Sequence, residues 1–160
     1  MSFPFPTDLI YSPLMGTAFL SVSLFGGLNE DAVKLLEEEA QRVLAGAGDT
    51  ILQEGEPGND LFLIESGSVR ICKKCGQPGE TELDRLGPGE FFGEMCILET
   101  LPRSATVQAT SDVVLLRISS MTFYHLHQRL PDQFSLLLLN VARDLSRRLR
   151  RLDEIFAARH

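Results

Sequence analysis

The stretch FGEMCILETLPRSATV, residues 92–107, places a glycine and a glutamate before an apolar run and an arginine after it. Gly93 directly precedes Glu94, and Arg103 stands ten residues after the glycine. A glycine before a short helix lets backbone N–H groups approach an anion, and the helix N-terminus adds partial positive charge. Residues 95–98 are predicted to form that one helical turn. The stretch therefore predicts an anion site that Arg103 completes.

The two charged side chains ask for different ligand groups. The planar guanidinium of Arg103 matches two oxygens of a phosphate. An ionised Glu94 only accepts hydrogen bonds, so it requires a donor such as a sugar hydroxyl. A cyclic nucleotide carries both groups on one compact molecule. The structural alternative is a plain Glu94–Arg103 ion pair within a turn.

The residues around this stretch indicate a mainly β domain. From Ala47 to Ile118, short segments of Val, Ile, Leu and Phe alternate with the turn clusters EGEPGND, ESGS, KKCGQPGE and LGPGE. This pattern predicts about eight strands. Residues 61–64 are typical of a strand buried on both faces, and residues 69–71 and 105–109 of half-buried antiparallel strands. Strands this numerous and short favour a barrel or a jelly roll.

Helices are predicted on both sides of the β block. Asn29 is a good N-cap for a helix over residues 29–45, and a second helix should run from Ser119 or Ser120 to the residue before Pro131. The last helix, residues 132–158, should be about 40 Å long. Its apolar seam consists of Phe134, Leu138, Val141, Leu145, Leu149, Leu152 and Phe156. Because one small domain cannot cover that length, we expect part of the seam to meet a second copy.

The residues from Phe92 to Thr106 resemble the phosphate-binding cassette of the cyclic nucleotide-binding domain family, and the resemblance extends over residues 24–158. It implies an antiparallel β-roll, a double-stranded jelly roll, with one N-terminal helix and two C-terminal helices. On this reading residues 1–21 are an N-terminal extension and residues 22–160 are the domain. The roll occupies about 47–118 and the C-terminal helices about 119–158.

The resemblance also implies roles for individual residues. Arg103 would hold the cyclic phosphate and Glu94 the ribose 2′-hydroxyl, while Gly93 lets backbone N–H groups of Met95 and Cys96 cap the phosphate. Ser104 stands where cAMP receptor proteins carry a serine and many cGMP-selective members a threonine, which favours cAMP as the ligand over cGMP. Weaker candidates for a lid over the base are these three residues of the last helix: Leu138, Val141 and Leu145.

The resemblance implies a regulatory role. No nucleophile, base and orienting acid are recognisable together, so we do not expect catalysis. We expect a non-catalytic sensor whose C-terminal helix moves on binding, a homodimer formed through that helix, and a downstream protein effector. A degenerate member that serves as an interaction scaffold is the first alternative. A cupin-like metalloenzyme is the second, since His125 and His127 form an HxH pair. On the predicted helix, however, such residues point about 200° apart.

Composition limits the partners. The net charge of −7 disfavours nonspecific attraction to nucleic acid or anionic membranes. No run approaches the roughly 20 apolar residues of a membrane span, and residues 1–21 lack the basic start of a signal peptide. No DNA-binding motif follows the last helix, so direct DNA binding is not expected. An odd number of cysteines, three, favours a reducing compartment, and we expect the cytoplasm.

Two further motifs are predicted to be structural. Cys72 and Cys75 have the spacing of half a zinc site, but no second pair exists, which favours a hairpin turn with incidental cysteines over a redox pair or an intermolecular metal clip. The basic cluster Arg143, Arg147, Arg148, Arg150 and Arg151 is predicted to be mostly the solvated face of a helix, with an Arg150/Glu154 pair, or else a docking surface for a protein.

Overall fold

Two antiparallel sheets form the centre of the fold. The computed structural model describes residues 23–98 and 101–159, without the side chains of residues 96 and 97. The strands are β1 Gln41–Ala45, β2 Thr50–Leu52, β3 Asp60–Ser66, β4 Val69–Lys73, β5 Thr81–Leu86, β6 Phe91–Phe92, β7 Thr106–Ala109 and β8 Val113–Ser119. One sheet has the order β1-β8-β3-β6 and the other β2-β7-β4-β5.

Four helices surround this roll in the described part of the chain. They are α1 Glu30–Glu39, α2 Met95–Leu98, α3 Ser120–Arg129 and α4 Pro131–Ala158, preceded by a short 3-10 turn, Ser23–Phe25. Asn29 caps α1 by accepting a hydrogen bond from the backbone N–H of Ala32, and Ser119 caps α3 in the same way. The predicted roll with one N-terminal and two C-terminal helices is confirmed, as is the helical turn at residues 95–98.

The predicted first helix, residues 29–45, is wrong beyond Glu39. Residues 41–45 form β1, which pairs antiparallel with β8. Val43 and Ala45 point into the roll while Leu44 is exposed. This alternation has the period of a strand, and the chain pairs it with the neighbouring β8 rather than extending a helix into solvent. The roll therefore begins at Gln41 rather than near residue 47.

The apolar core has two layers separated by the β1-β8-β3-β6 sheet. Leu61 and Leu63 of β3 pack against the helices, and Phe62 and Ile64 pack inside the roll. The prediction that residues 61–64 are buried on both faces is confirmed. The alternation predicted for residues 69–71 breaks at a bulge, since Cys72 is buried and Ile71 only half-buried.

The apolar seam of the long helix α4 is covered over the first half of the helix only. Leu137 and Val141 are fully buried, and Asn140 donates to the backbone oxygens of Leu24 and Gly26 at 2.9 Å each. Further along, the seam residues are exposed: Leu149 by 61%, Leu152 by 47% and Phe156 by 68%. No helix in the described ranges is long and apolar enough to cross a membrane. The predicted extension, residues 1–21, lies outside the described residues.

Candidate functional site

The turn between β6 and α2 can only be made by a glycine. Gly93 has a φ of 81°, in the left-handed region. A Cβ at this position would lie 2.6 Å from the backbone oxygen of Asp60 in β3 and 3.0 Å from Nη1 of Arg103. Gly93 thus brings the start of α2 against β3 and against the arginine.

Arg103 is held from several sides. Its Nη1 donates to the backbone oxygen of Gly93 at 3.4 Å and its Nη2 to that of Asp60 at 3.1 Å. Its backbone N–H donates to the oxygen of Glu56 at 2.9 Å, and its own oxygen accepts from the N–H of Gly55 at 2.8 Å. The β2–β3 loop therefore holds the backbone of Arg103, whereas β3 and the cassette hold its guanidinium.

Glu94 is almost completely buried, with 7% of its surface exposed. Burial raises the pKa of its carboxyl; Arg148, a backbone hydrogen bond and Arg103 oppose this effect, and Asp144 adds to it. Its salt bridge is with Arg148 of α4, at 3.5 Å, rather than with Arg103. The simple Glu94–Arg103 pair considered from the sequence is not formed.

Arg148 connects α4 to the cassette. Besides Glu94, it contacts Asp144 on its own helix at 2.7 Å, donates to the backbone oxygen of Phe91, and lies over the Phe91 ring with 5.0 Å to the centroid. Sequence reasoning grouped it with solvent-facing arginines. On a helical wheel, however, Arg148 stands only about 60° from Leu145, a seam residue, and that position was the available signal.

Most predicted site residues line one cavity. Its lining includes the apolar residues Leu52, Ile71 and Phe92, and it includes Arg148 together with the predicted residues. The predicted residues at this cavity are Gly93, Glu94, Met95, Arg103 and Ser104. The backbone of Cys96 belongs to α2, and its side chain lies outside the description.

The three candidate lid residues are placed elsewhere. Val141 is fully buried in the core between sheet and helices, and Leu145 packs against that core. Leu138 is half-buried. Arg148, one turn beyond Leu145, is the α4 residue at the cavity wall. Their role as a lid stays a prediction.

The other motifs have identifiable surroundings. The ring of His125 lies 2.9 Å from the carboxylate of Glu39, and His127 is exposed. No group of three or more His, Cys, Asp or Glu in the described residues could hold a metal. Cys72 and Cys75 are paired as a disulfide in the structure, with 5.6 Å between their Cα atoms. The sequence had favoured incidental cysteines in a hairpin turn over a redox pair.

The basic cluster divides between solvent and the roll. Four of its members are exposed, as predicted: Arg143, Arg147, Arg150 and Arg151. Arg151, although exposed, binds Asp84 of β5. Among the described residues Arg150 and Glu154 do not form the expected ion pair. Half-buried Arg148 therefore binds α4 to the cassette, and exposed Arg151 binds it to the second sheet.

Comparison with known proteins agrees with this geometry. A family model described as the cyclic nucleotide-binding domain matches residues 42–129. The cyclic AMP receptor protein of Thermus thermophilus is 39% identical over 130 residues, which are 81% of this chain and 58% of that protein. The chain thus spans little more than half the length of this relative.

Two solved structures share the fold. A cyclic nucleotide-binding domain from Methylobacillus flagellatus has a TM-score of 0.82 at 25% identity, covering 91% of this chain and 84% of its own. The regulatory domain of Toxoplasma gondii PKA, crystallised with cAMP, has a TM-score of 0.63 at 27% identity, covering 69% and 42%.

Proposed function

Because the chain belongs to the cyclic nucleotide-binding domain family, we propose that it is a non-catalytic sensor that binds cAMP between Glu94 and Arg103 and responds through α4. One observation carries the proposal. A fixed guanidinium and a buried carboxylate line the same cavity, with an apolar wall of Leu52, Ile71 and Phe92 beside them. A ligand with a phosphate, a ribose hydroxyl and a flat apolar base would use all three features.

Each end of the ligand has a matching group. Arg103 holds the cyclic phosphate through paired charge-assisted hydrogen bonds. Gly93 lets the phosphate come close to the backbone N–H groups of Met95 and Cys96. Glu94 accepts from the ribose 2′-hydroxyl. Burial of this carboxylate makes an unpaired acceptor costly, so the hydroxyl donor contributes both affinity and specificity for a free 2′ position.

The proposed preference for cAMP over cGMP depends on the residue after the arginine. Ser104 is exposed at the rim of the cavity, with its hydroxyl 3.9 Å from the sulfur of Met95. A small hydroxyl at this position can turn towards the phosphate. Support for cAMP also comes from relatives whose names include cyclic AMP or cAMP.

The response of α4 is proposed from its contact with Glu94. Arg148 and a ribose hydroxyl would share the same carboxylate, so binding changes the partners of a residue anchored in α4. The helix then shifts between two positions, and the extent of the shift is limited by the difference in ligand affinity between them. Leu138, Val141 and Leu145 follow as the lid segment.

Dimerisation is proposed through the uncovered half of α4. Leu149, Leu152 and Ile155 are exposed within about two helical turns of one another. A second copy of this helix presents the same surface, and a twofold interface is self-complementary. A downstream protein effector would read the state of this dimer, and we place the protein in the cytoplasm, where cAMP signals.

The test is calorimetric titration of the purified chain with cAMP and with cGMP. We expect cAMP to bind more tightly. Arg103→Ala should weaken binding by about 2–5 kcal/mol, because the phosphate charge would be left without its partner. That is roughly 30-fold to several thousandfold in Kd.

Arg117→Ala is the matched control. Arg117 also lies beside Asp60, with its Nε 3.1 Å from the carboxylate, but it is 44% exposed and does not line the proposed ligand cavity. This change alters net charge equally and should leave Kd nearly unchanged. If nucleotide-free, folded protein bound neither nucleotide, the scaffold alternative would replace the sensor.

A further inference from the structure

The β4–β5 hairpin carries a cysteine pair with unequal exposure. The disulfide joins Cys72, the fourth residue of β4, to Cys75 in the turn, with 5.6 Å between their Cα atoms. Lys74 between them has a φ of 53°, a left-handed conformation uncommon outside glycine. Cys72 has no exposed surface, whereas Cys75 is half-buried. Cys75 is therefore the more accessible residue of the pair, and Cys72 is covered.

The turn between the cysteines is bound to Glu54 in the β2–β3 loop. The backbone N–H of Lys74 donates to one carboxylate oxygen of Glu54 at 3.0 Å, and Nζ of Lys73 donates to the other at 2.9 Å. The Lys74 hydrogen bond, followed by that of Lys73, lowers the pKa of Glu54. The carboxylate is thus ionised at neutral pH and holds both residues that separate the cysteines.

Residues 54–56 are in turn bound to the cassette. The N–H of Glu54 donates to the hydroxyl of Thr106 at 3.0 Å. The next two residues exchange backbone hydrogen bonds with Arg103, at 2.8 and 2.9 Å. Cys72 itself lies opposite Thr106 in the register of β4 and β7. Two short routes, one through the sheet and one through Glu54, therefore connect the cysteine pair to the residues around Arg103.

We propose that Cys72 and Cys75 are a reversible thiol–disulfide exchange site for glutathione-type thiols, and that their redox state sets the order of residues 54–56 and of Arg103. The disulfide closes the turn whose residues Lys73 and Lys74 donate hydrogen bonds to Glu54. In the dithiol form the turn gains conformational freedom, and the segment that positions Arg103 loses part of its support. The effect of the redox state on ligand affinity rests on the proposed function, whereas the thiol–disulfide exchange does not.

The exchange reaction follows from the exposure of the two sulfurs. In the oxidising direction the Cys75 thiolate attacks oxidised glutathione, forming a mixed disulfide and releasing one glutathione thiolate. Cys72 then attacks the Cys75 sulfur and releases the second glutathione. Two electrons pass from the cysteine pair to oxidised glutathione, and the two cysteine protons end on the two glutathione thiols. Reduction runs through the same intermediate in reverse.

The exchange is tested on the full chain equilibrated over a series of reduced to oxidised glutathione ratios. Thiols are trapped with a mass-tagged alkylating reagent, and peptide mass spectrometry separates the pair from Cys96. We expect Cys72 and Cys75 to change together from two tagged thiols to none as the ratio becomes oxidising. Persistence of either the dithiol or the disulfide over the whole series would overturn the exchange site.

The coupling is tested by hydrogen–deuterium exchange of the same protein without nucleotide. Reduction should speed exchange in peptides covering residues 53–58 and 103–106, and Cys75→Ser should match the reduced protein. Glu54→Gln removes one acceptor charge from the turn and should shrink the difference between oxidised and reduced protein. Equal exchange in oxidised and reduced wild type would refute the coupling.

The affinity for cAMP gives a third readout. A preorganised Arg103 costs less to order on binding, so the oxidised form should bind cAMP about two- to thirtyfold more tightly than the reduced form. Equal affinities would refute the effect on the ligand. A protein that exchanges and stiffens as expected but binds no nucleotide would refute the sensor function and leave the exchange site standing.

Discussion

Replacement of Glu94 by glutamine should separate stability from function. The carboxylate is buried against Arg148 at 3.5 Å, a long contact. Arg148 keeps other partners when the charge is removed, since Asp144 lies 2.7 Å from its Nε and the Phe91 ring lies beneath it. The amide of Glu94→Gln occupies nearly the same volume. The variant therefore removes a buried charge without leaving an unpaired arginine.

The direction of the stability change follows from the raised pKa of Glu94. A carboxyl whose pKa is higher in the folded than in the unfolded state destabilises the fold above its folded pKa. That cost disappears as the pH falls towards 4.5, the unfolded value. Each unit of elevation corresponds to about 1.4 kcal/mol. Glu94→Gln should thus be as stable as wild type or more stable at pH 7.5, with the advantage shrinking towards pH 4.5.

Urea unfolding of both proteins at pH 7.5 and pH 5 measures this difference. If the buried Glu94–Arg148 pair stabilised the fold, removing one partner would lower the free energy of unfolding by about 3–5 kcal/mol. The raised pKa of Glu94 predicts no loss or a gain, so the two explanations differ in sign. Glu65→Gln is the control, because Glu65 pairs with Arg42 at 2.9 Å nearer the surface and should cost up to about 1 kcal/mol. A loss of 3 kcal/mol in Glu94→Gln at pH 7.5 would contradict the reasoning. Affinity for cAMP should fall in this variant, but less than in Arg103→Ala, since the amide oxygen still accepts.

Three further changes test separate parts of the structure. Gly93→Ala should lose much more stability in urea unfolding than Gly89→Ala; both have positive φ, but only the first meets a backbone oxygen at 2.6 Å, and equal losses would refute the steric argument. Leu149→Glu should shift sedimentation towards monomer while leaving cAMP affinity of the monomer intact; an unchanged dimer would exclude this surface. Arg148→Met should abolish the effect of cAMP on hydrogen exchange in the second half of α4; an effect of wild-type size would show that the response takes another route.

The cassette could be predicted from the sequence because its chemistry is local. Gly93, Glu94 and Arg103 stand within eleven consecutive residues, and the conformational demands of a glycine turn and a single helical turn fix their relative positions. The strand pattern was equally readable where both faces are buried, as in β3. Residues 41–45 were misread because their apolar positions suit either period over so short a run, and pairing with β8 decides between them.

Long-range partners were beyond the sequence. Arg148 lies 54 residues from Glu94, and only the path of α4 across the roll brings them together. The pairing of Cys72 with Cys75 was not predicted from the sequence for a similar reason. Its geometry depends on a left-handed residue, Lys74, within a turn whose shape the hydrogen bonds to Glu54 define. Contacts between side chains of different elements depend on how those elements pack, and the sequence pattern does not show that packing.

One helix now connects the site to the surface proposed for dimerisation. Arg148 and Leu149 are consecutive, so the residue that binds the cassette and the first uncovered residue of the seam cannot move independently. A change of partners at Glu94 that rotates or shifts α4 alters the seam presented to a second copy. By linkage, the free energy by which nucleotide binding changes dimerisation equals the free energy by which dimerisation changes nucleotide binding. Nucleotide affinity should therefore depend on protein concentration in wild type, and this dependence should vanish in Leu149→Glu. Concentration-independent affinity in a wild type that dimerises would uncouple the two halves of α4.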